Sequence, residues 1–145
     1  IGRLPASTGS RVTLTGPMAD PFLYYRAADI YVCSSHVESA PRVLVEAMAC
    51  DLPIVTTPVF GIPEQVKEGV NALFYPPGDA SELAAALTRL ASDPTARAQL
   101  GWKSKMVLQS QAGYEEMLVA YDRLIREAKP LQMCDCGEPG SRVAG

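Results

Sequence analysis

IYVCSSHVESAPRVLVEAMACDLPIVTT, residues 30–57, decides the fold. It opens on Ile30–Ser34, nearly all apolar, as a strand covered on both faces should be. It closes on Pro53–Thr57, another buried strand. Between them Pro41–Cys50 reads as a short helix. Pro41 suits the first helical turn, where a missing N–H removes no intrahelical bond. Strand, helix and strand in this order make a βαβ unit.

The same alternation extends both ways. Upstream, Val12–Thr15 (VTLT) is strand-like and precedes Gly16. Pro21–Ala28 has the pattern of a helix, with Asp20 as N-cap. Downstream, Ile62–Lys67 is expected to form a short helix ending near Gly69. Asn71–Tyr75 is a fourth strand, closed by Pro76-Pro77-Gly78. Asp79 and Glu82 have capping-box spacing ahead of helix Ala80–Ala91, which carries Leu83, Leu87 and Leu90 on one face. Asp93-Pro94 starts the next helix, cap then proline. Tyr114–Ala128 has apolar residues at 114, 117, 118, 121, 124 and 125, a helical stripe. The fold class is α/β, a parallel sheet with helices on both faces. Residues 1–11 read as the remnant of an upstream helix or loop, 12–128 as the domain, and the Gly/Pro-rich 129–145 as a disordered tail.

Composition narrows the function. The chain of 145 residues is 48% hydrophobic and 20% charged, with net charge −3 and one histidine. That balance argues against a nucleic-acid or anionic-membrane surface, which needs clustered Lys and Arg. No apolar run is long enough to span a membrane, about 18 residues or more. Cys33 and Cys50 sit in apolar runs and read as buried thiols, in keeping with a reducing cytoplasm. Cys134-Asp-Cys136 offers two close thiols rather than four ligands, so no metal site is expected.

In open α/β sheets, ligands bind beyond the carboxyl ends of the strands. That rim collects Gly16–Pro21, Ser34–Pro41 and Thr57–Glu64. Two glutamates stand there with seven residues between them, Glu38 before the helix and Glu46 inside it. Eight residues at about 100° each return to within roughly 80° of the starting direction, so both carboxylates can face one cleft. The helical rise from Pro41 to Glu46 is about 7.5 Å, and the loop adds more. Paired glycosidase carboxyls stand about 5–5.5 Å apart, or about 6.5–9.5 Å when inverting. The pair is better spaced to hold two ends of an elongated ligand. Between them, free N–H groups from about Ser39 to Val43 form a helix N-terminus suited to phosphate. Two solvated charges would also produce this spacing.

The wider context goes further. AADIYVCSS, ESAPRVLVEAMAC, DLPIVTT and TPVFGIPEQVKEGVNALFYPPGD, followed by helices through YEEMLVAYDRL, resemble the C-terminal domain of retaining GT-B glycosyltransferases of family 4, including their E-x7-E motif. The likeness covers roughly Val12–Ala128. It implies a partial Rossmann-like domain that binds a nucleotide diphosphate sugar, UDP-sugar rather than GDP-mannose on family frequency. The first βαβ unit of the donor domain and the N-terminal acceptor domain are expected elsewhere, so the isolated chain is expected to be inactive. Ile1-Gly2-Arg3-Leu4 superficially matches the front section, but VTLTG follows too closely for a full βαβ unit.

By this resemblance Glu46 holds the ribose hydroxyls and Glu38 is the catalytic carboxylate facing the transferred sugar. Ala40, Pro41, Arg42 and Val43 line the diphosphate, with Arg42 equally readable as a solvated helix charge. Gly16, Pro17 and Met18 match a loop beside the base, or form a plain β-α turn with Gly16 permitting tightness. Gly61 and Glu64 match a donor-contacting loop, or Glu64 caps its own helix. His36, a lone loop histidine, reads more readily as structural or solvent-facing. One of Tyr24 and Tyr25 belongs to the core. The resemblance further implies no metal or other cofactor, an acceptor (glycan, lipid or small molecule) reached through the other domain, and a cytoplasmic enzyme peripheral to the inner membrane face. Two departures stand out: Asp51 replaces a usual glycine, although Asp tolerates the left-handed conformation, and Ala40 replaces a larger residue. The remaining alternatives are an inactive nucleotide-sugar-binding remnant, a GT-B isomerase or phosphorylase relative, and an α/β interaction domain without catalysis.

Overall fold

Three short parallel strands organise the molecule: β1 (Tyr31–Cys33), β2 (Ile54–Thr56) and β3 (Ala72–Phe74), in the order β1-β2-β3. The computed structural model describes residues 11–111 and 113–127, apart from the side chain of Tyr114. Tyr31 pairs with Ile54, which pairs with Ala72, and the register continues one residue at a time to Cys33, Thr56 and Phe74. Each crossover is helical. Helix α1 (Phe22–Ala27) precedes β1, α2 (Arg42–Ala49) joins β1 to β2, and α3 (Ile62–Gln65) lies between β2 and β3. Then come α4 (Ala80–Ser92) and α5 (Pro94–Ser110).

Alternation along β2 explains why it is wholly buried. Neighbouring side chains on a strand point to opposite faces. Ile54 packs with Leu44, Ala47 and Met48 of α2, Tyr25 of α1 and Ile62. Val55 packs with Leu73, Tyr75, Leu90 of α4 and Leu100 of α5. β2 is therefore covered on both faces. Helix α5 borders both cores, with Leu100 in one and Val107 and Leu108 against the other.

Local signals set the helix ends. Phe22 N–H donates to Asp20 Oδ1 at 3.0 Å, but the N-cap of α1 is Pro21, one residue after the expected Asp20, and it carries no side-chain cap. Asp79 Oδ1 accepts from the N–H groups of Ser81 and Glu82, both at 3.0 Å. Asp93 Oδ1 accepts from Ala96 N–H at 2.9 Å. Asp51 follows α2 with φ +56°, the left-handed conformation its usual glycine would supply. A Cβ on Gly101 would stand 2.1 Å from Asp51 O, so α5 lies directly on that turn. Buried Ser104 adds its hydroxyl, 2.9 Å from Leu52 O and 3.3 Å from Asn71 O.

Two expectations are corrected. Val12–Thr15 forms no strand; Val12 and Leu14 are exposed. A strand exists only in a ladder, and among the described residues none pairs with this segment. β1 is not covered on both faces either. Among the described residues it is an edge strand, and Val32 is exposed.

Residues 113–127 belong to a second unit. Its helix α6 (Tyr114–Glu127) carries the expected stripe, and Arg126 Nε meets Asp122 Oδ2 at 2.7 Å, one turn apart. Residues 1–10, the tail 129–145 and the Cys134/Cys136 pair lie outside the described residues. No described helix is long and apolar enough to cross a membrane.

Candidate functional site

Where β1 ends, the chain turns back through a braced loop. Glu38 is half-buried, and its Oε1 accepts from Ser35 Oγ at 3.1 Å. Ser35 is tied in turn to the end of β2, since Thr57 Oγ1 donates to Ser35 O at 2.5 Å. Cys33 Sγ lies 3.6 Å from Ser35 Oγ. The next loop docks from the other side: Gly61 N–H donates to Glu38 O at 3.2 Å. A Cβ on Gly61 would stand 1.6 Å from Ser39 O. Gly61 has an ordinary φ of −81°, so glycine is demanded there by space, not by backbone conformation. The strand-helix alternation placed the loops Ser34–Pro41 and Thr57–Glu64 on one rim, and here the two touch.

Helix α2 begins immediately beyond, at Arg42, with Pro41 as its N-cap in extended conformation and no side-chain cap. Leu44 N–H returns to Pro41 O at 3.2 Å. The expected row of donors from Ala40 to Val43 is therefore interrupted: Pro41 is buried and has no N–H. Arg42 and Val43 supply the uncapped helical donors. Ala40 and Arg42 are exposed, Val43 half-buried.

Glu46 lies in the second turn of α2 and is half-buried. Its Oε2 accepts a hydrogen bond of 2.9 Å from the phenol of Tyr25, on α1. Tyr25 is the buried member of the tyrosine pair, and Tyr24 is exposed. Its ring packs against Phe22 and Tyr31, with centroids 5.8 and 5.4 Å away. Burial, and then the Glu46 carboxylate, push the Tyr25 phenol up to about 12. Burial also raises Tyr31. Tyr25 is invisible as a site residue in the sequence because it lies 21 residues from its partner. Its helical position marks it only as core.

The other candidates are less tightly joined. Gly16, Pro17 and Met18 are exposed. Gly16 does not adopt positive φ, and a Cβ there would meet nothing within 4 Å, so the expected need for glycine is absent. Glu64 is exposed in the first turn of α3 and forms no side-chain cap there. Beside Gly61, exposed Phe60 has φ +46°, a left-handed conformation unusual for an aromatic residue. His36 is exposed and lines a cavity of about 190 Å³ with Ser34, Tyr75, Asp79 and Leu83, into which neither Glu38 nor Glu46 projects.

A parallel sheet with flanking helices is the architecture this chain shares with glycosyltransferases of known structure. The chain belongs to the family of glycosyl transferases group 1, whose model matches residues 3–93. A D-inositol 3-phosphate glycosyltransferase from Thermobifida fusca is 38% identical over 85 residues, 59% of this chain and 20% of that protein. The chain thus spans about a fifth of that relative's length. The C-terminal domain of a glycosyl transferase group 1 family protein (LpcC) from Francisella tularensis superposes with TM-score 0.61 at 28% identity, over 67% of this chain and 51% of that one. Anabaena Alr3699/HepE in complex with UDP gives TM-score 0.76 at 26% identity, over 83% of this chain and 34% of that one. The same Anabaena protein in complex with UDP-glucose gives 0.65 at 26%, over 71% and 29%. This chain is accordingly the C-terminal domain, or part of it, of a GT-B glycosyltransferase.

Proposed function

We propose that the chain is the donor-binding part of a retaining hexosyltransferase of family 4, taking a nucleotide diphosphate sugar, UDP-sugar in preference to GDP-mannose. The observation carrying this reading is the placement of Glu38 and Glu46, each half-buried and each accepting a side-chain hydrogen bond, on either side of the uncapped start of α2. The UDP and UDP-glucose complexes of the Anabaena neighbour support it.

In this reading Glu46 accepts hydrogen bonds from the ribose hydroxyls; an ionised carboxylate is acceptor-only and suits adjacent O–H donors. The N–H groups of Arg42 and Val43 meet the diphosphate. Their dipoles are fixed before the reaction and strengthen their interaction as charge grows on the leaving group. Glu38 binds hydroxyls of the transferred sugar and steadies positive charge at the anomeric carbon. The acceptor attacks from the leaving group's own face, and the donor phosphate takes its proton, so no enzyme base is assigned. Gly16–Met18 adjoin the base, and Gly61 and Glu64 complete the donor rim. The acceptor, a glycan, lipid or small molecule, is presented by a further domain of a cytoplasmic enzyme peripheral to the inner membrane face. No metal or other cofactor takes part.

Calorimetry on the full-length protein tests this. UDP is expected to bind more tightly than GDP; if neither binds at millimolar concentration, the donor reading fails.

A further inference from the structure

The Glu46 carboxylate has its two oxygens in different situations. Oε2 accepts from Tyr25 at 2.9 Å, while Oε1 accepts no hydrogen bond from the described residues. A glutamate on a helix surface samples several rotamers, and ordering such a side chain costs free energy at the moment of binding. Tyr25 cannot sample in the same way. It is buried, sits on a different helix, and packs its ring against those of Phe22 and Tyr31. Its phenol is a neutral donor throughout the physiological range, so the bond to the carboxylate is charge-assisted. The groups facing this pair are Tyr31 from β1 and Cys50 at the end of α2. No lysine, arginine or histidine hydrogen-bonds or pairs with Glu46 among the described residues.

We infer that Tyr25 is a positioning residue for the donor ribose: it holds Glu46 in one rotamer before ligand arrives and leaves Oε1 free for a ligand hydroxyl. The inference rests on the donor reading above. Tyr25 itself touches no substrate. It acts through Glu46 alone, so its contribution vanishes when Glu46 can no longer serve as the acceptor.

A double-mutant cycle of Tyr25→Phe and Glu46→Ala on the full-length protein tests this, with UDP as the probe. Tyr25→Phe keeps the ring contacts and deletes only the hydroxyl. It is expected to weaken UDP binding by roughly three- to tenfold, the scale of ordering one flexible side chain on binding. In the Glu46→Ala background, where no acceptor remains for the phenol, the same change is expected to have less than a twofold effect. Thermal unfolding of the four proteins, without ligand, runs in parallel. A purely structural tyrosine would lower the unfolding midpoint and leave UDP affinity alone; that result overturns the inference. So does an equal loss of affinity in both backgrounds. If wild-type protein binds no UDP, the donor reading fails and the ligand role of Tyr25 with it. A Tyr25–Glu46 coupling found only in unfolding then identifies the pair as structural. If UDP binds but the cycle shows no coupling, only the inference about Tyr25 fails.

Discussion

Gly61→Ala isolates the packing that holds the Glu38 loop in place. The added Cβ would lie 1.6 Å from Ser39 O and 2.7 Å from Ser39 C, whereas real Cβ atoms essentially never come within 3.0 Å of such atoms. Backbone on both sides is involved, so no side-chain rotation relieves the clash. The two loops must separate by at least about 1.4 Å, the difference between those limits. The Gly61 N–H to Glu38 O bond, already 3.2 Å, then lies beyond hydrogen-bonding range. Overpacking costs about 1–3 kcal/mol and the lost bond about 1 kcal/mol. Reducing the freedom of the unfolded chain returns only about 0.4–1 kcal/mol. The net expectation is a destabilisation of about 1–3.5 kcal/mol, a sizeable part of the roughly 5–15 kcal/mol available to a domain. Urea unfolding should show a midpoint lowered by about 1–2 M at unchanged slope. Amide shifts should move at Ser35, Glu38 and Ser39. Gly16→Ala is the control, because a Cβ there meets nothing within 4 Å and φ is not positive. An unchanged midpoint for Gly61→Ala, or equal effects at both glycines, would refute the docking of one loop on the other.

The glutamates should separate by assay: Glu46→Ala is expected to weaken UDP binding about tenfold or more, the scale of one charged hydrogen bond, while Glu38→Ala should reduce transfer far more than UDP affinity. Equal and negligible effects in titration and turnover would remove both roles. Phe60→Gly should stabilise the fold by about 0.5–1 kcal/mol, because relief from the left-handed conformation outweighs the entropy glycine adds to the unfolded chain. A loss of stability in chemical unfolding would mean that the ring packs in solution. Alkaline unfolding should report Tyr25. Below pH 10 its phenol is neutral in both folded and unfolded chains, so its contribution is fully present; between pH 10 and about 12 the unfolded chain releases the proton and the folded one keeps it. Stability should fall across that window by up to about 3 kcal/mol, and Tyr25→Phe should flatten that part of the profile.

Features carried by local pattern were legible in the sequence. The β-branched runs, the Asp-Pro starts and the helical stripes placed the strands and helices to within a few residues, because period and capping act over a few positions. Asp51 was legible for the same reason: the residue after a helix often adopts the left-handed conformation, and aspartate accepts it. Features requiring a distant partner were not. VTLT has every local mark of a strand, yet a ladder is a property of two segments. The space-filling demand at Gly61 depends on Ser39, a residue in another loop. The Tyr25–Glu46 bond joins two helices across β1.

The same distinction bears on whether Glu38 and Glu46 form a pair by coincidence. Two solvated charges would be exposed, without fixed partners, and indifferent to the loops around them. Here both carboxylates are half-buried, and each accepts a hydrogen bond from a hydroxyl that is itself held elsewhere. Ser35 is tied through its carbonyl to the end of β2, and Tyr25 is clamped by aromatic packing. Burying a carboxylate costs free energy unless hydrogen bonds offset it. A neutral hydroxyl offsets only part of the charge and leaves the remaining lone pairs able to accept. An arginine or lysine partner would neutralise the group and compete with a ligand. The arrangement keeps two acceptors ordered and available, as the proposed sugar and ribose contacts would require and a solvated surface would not.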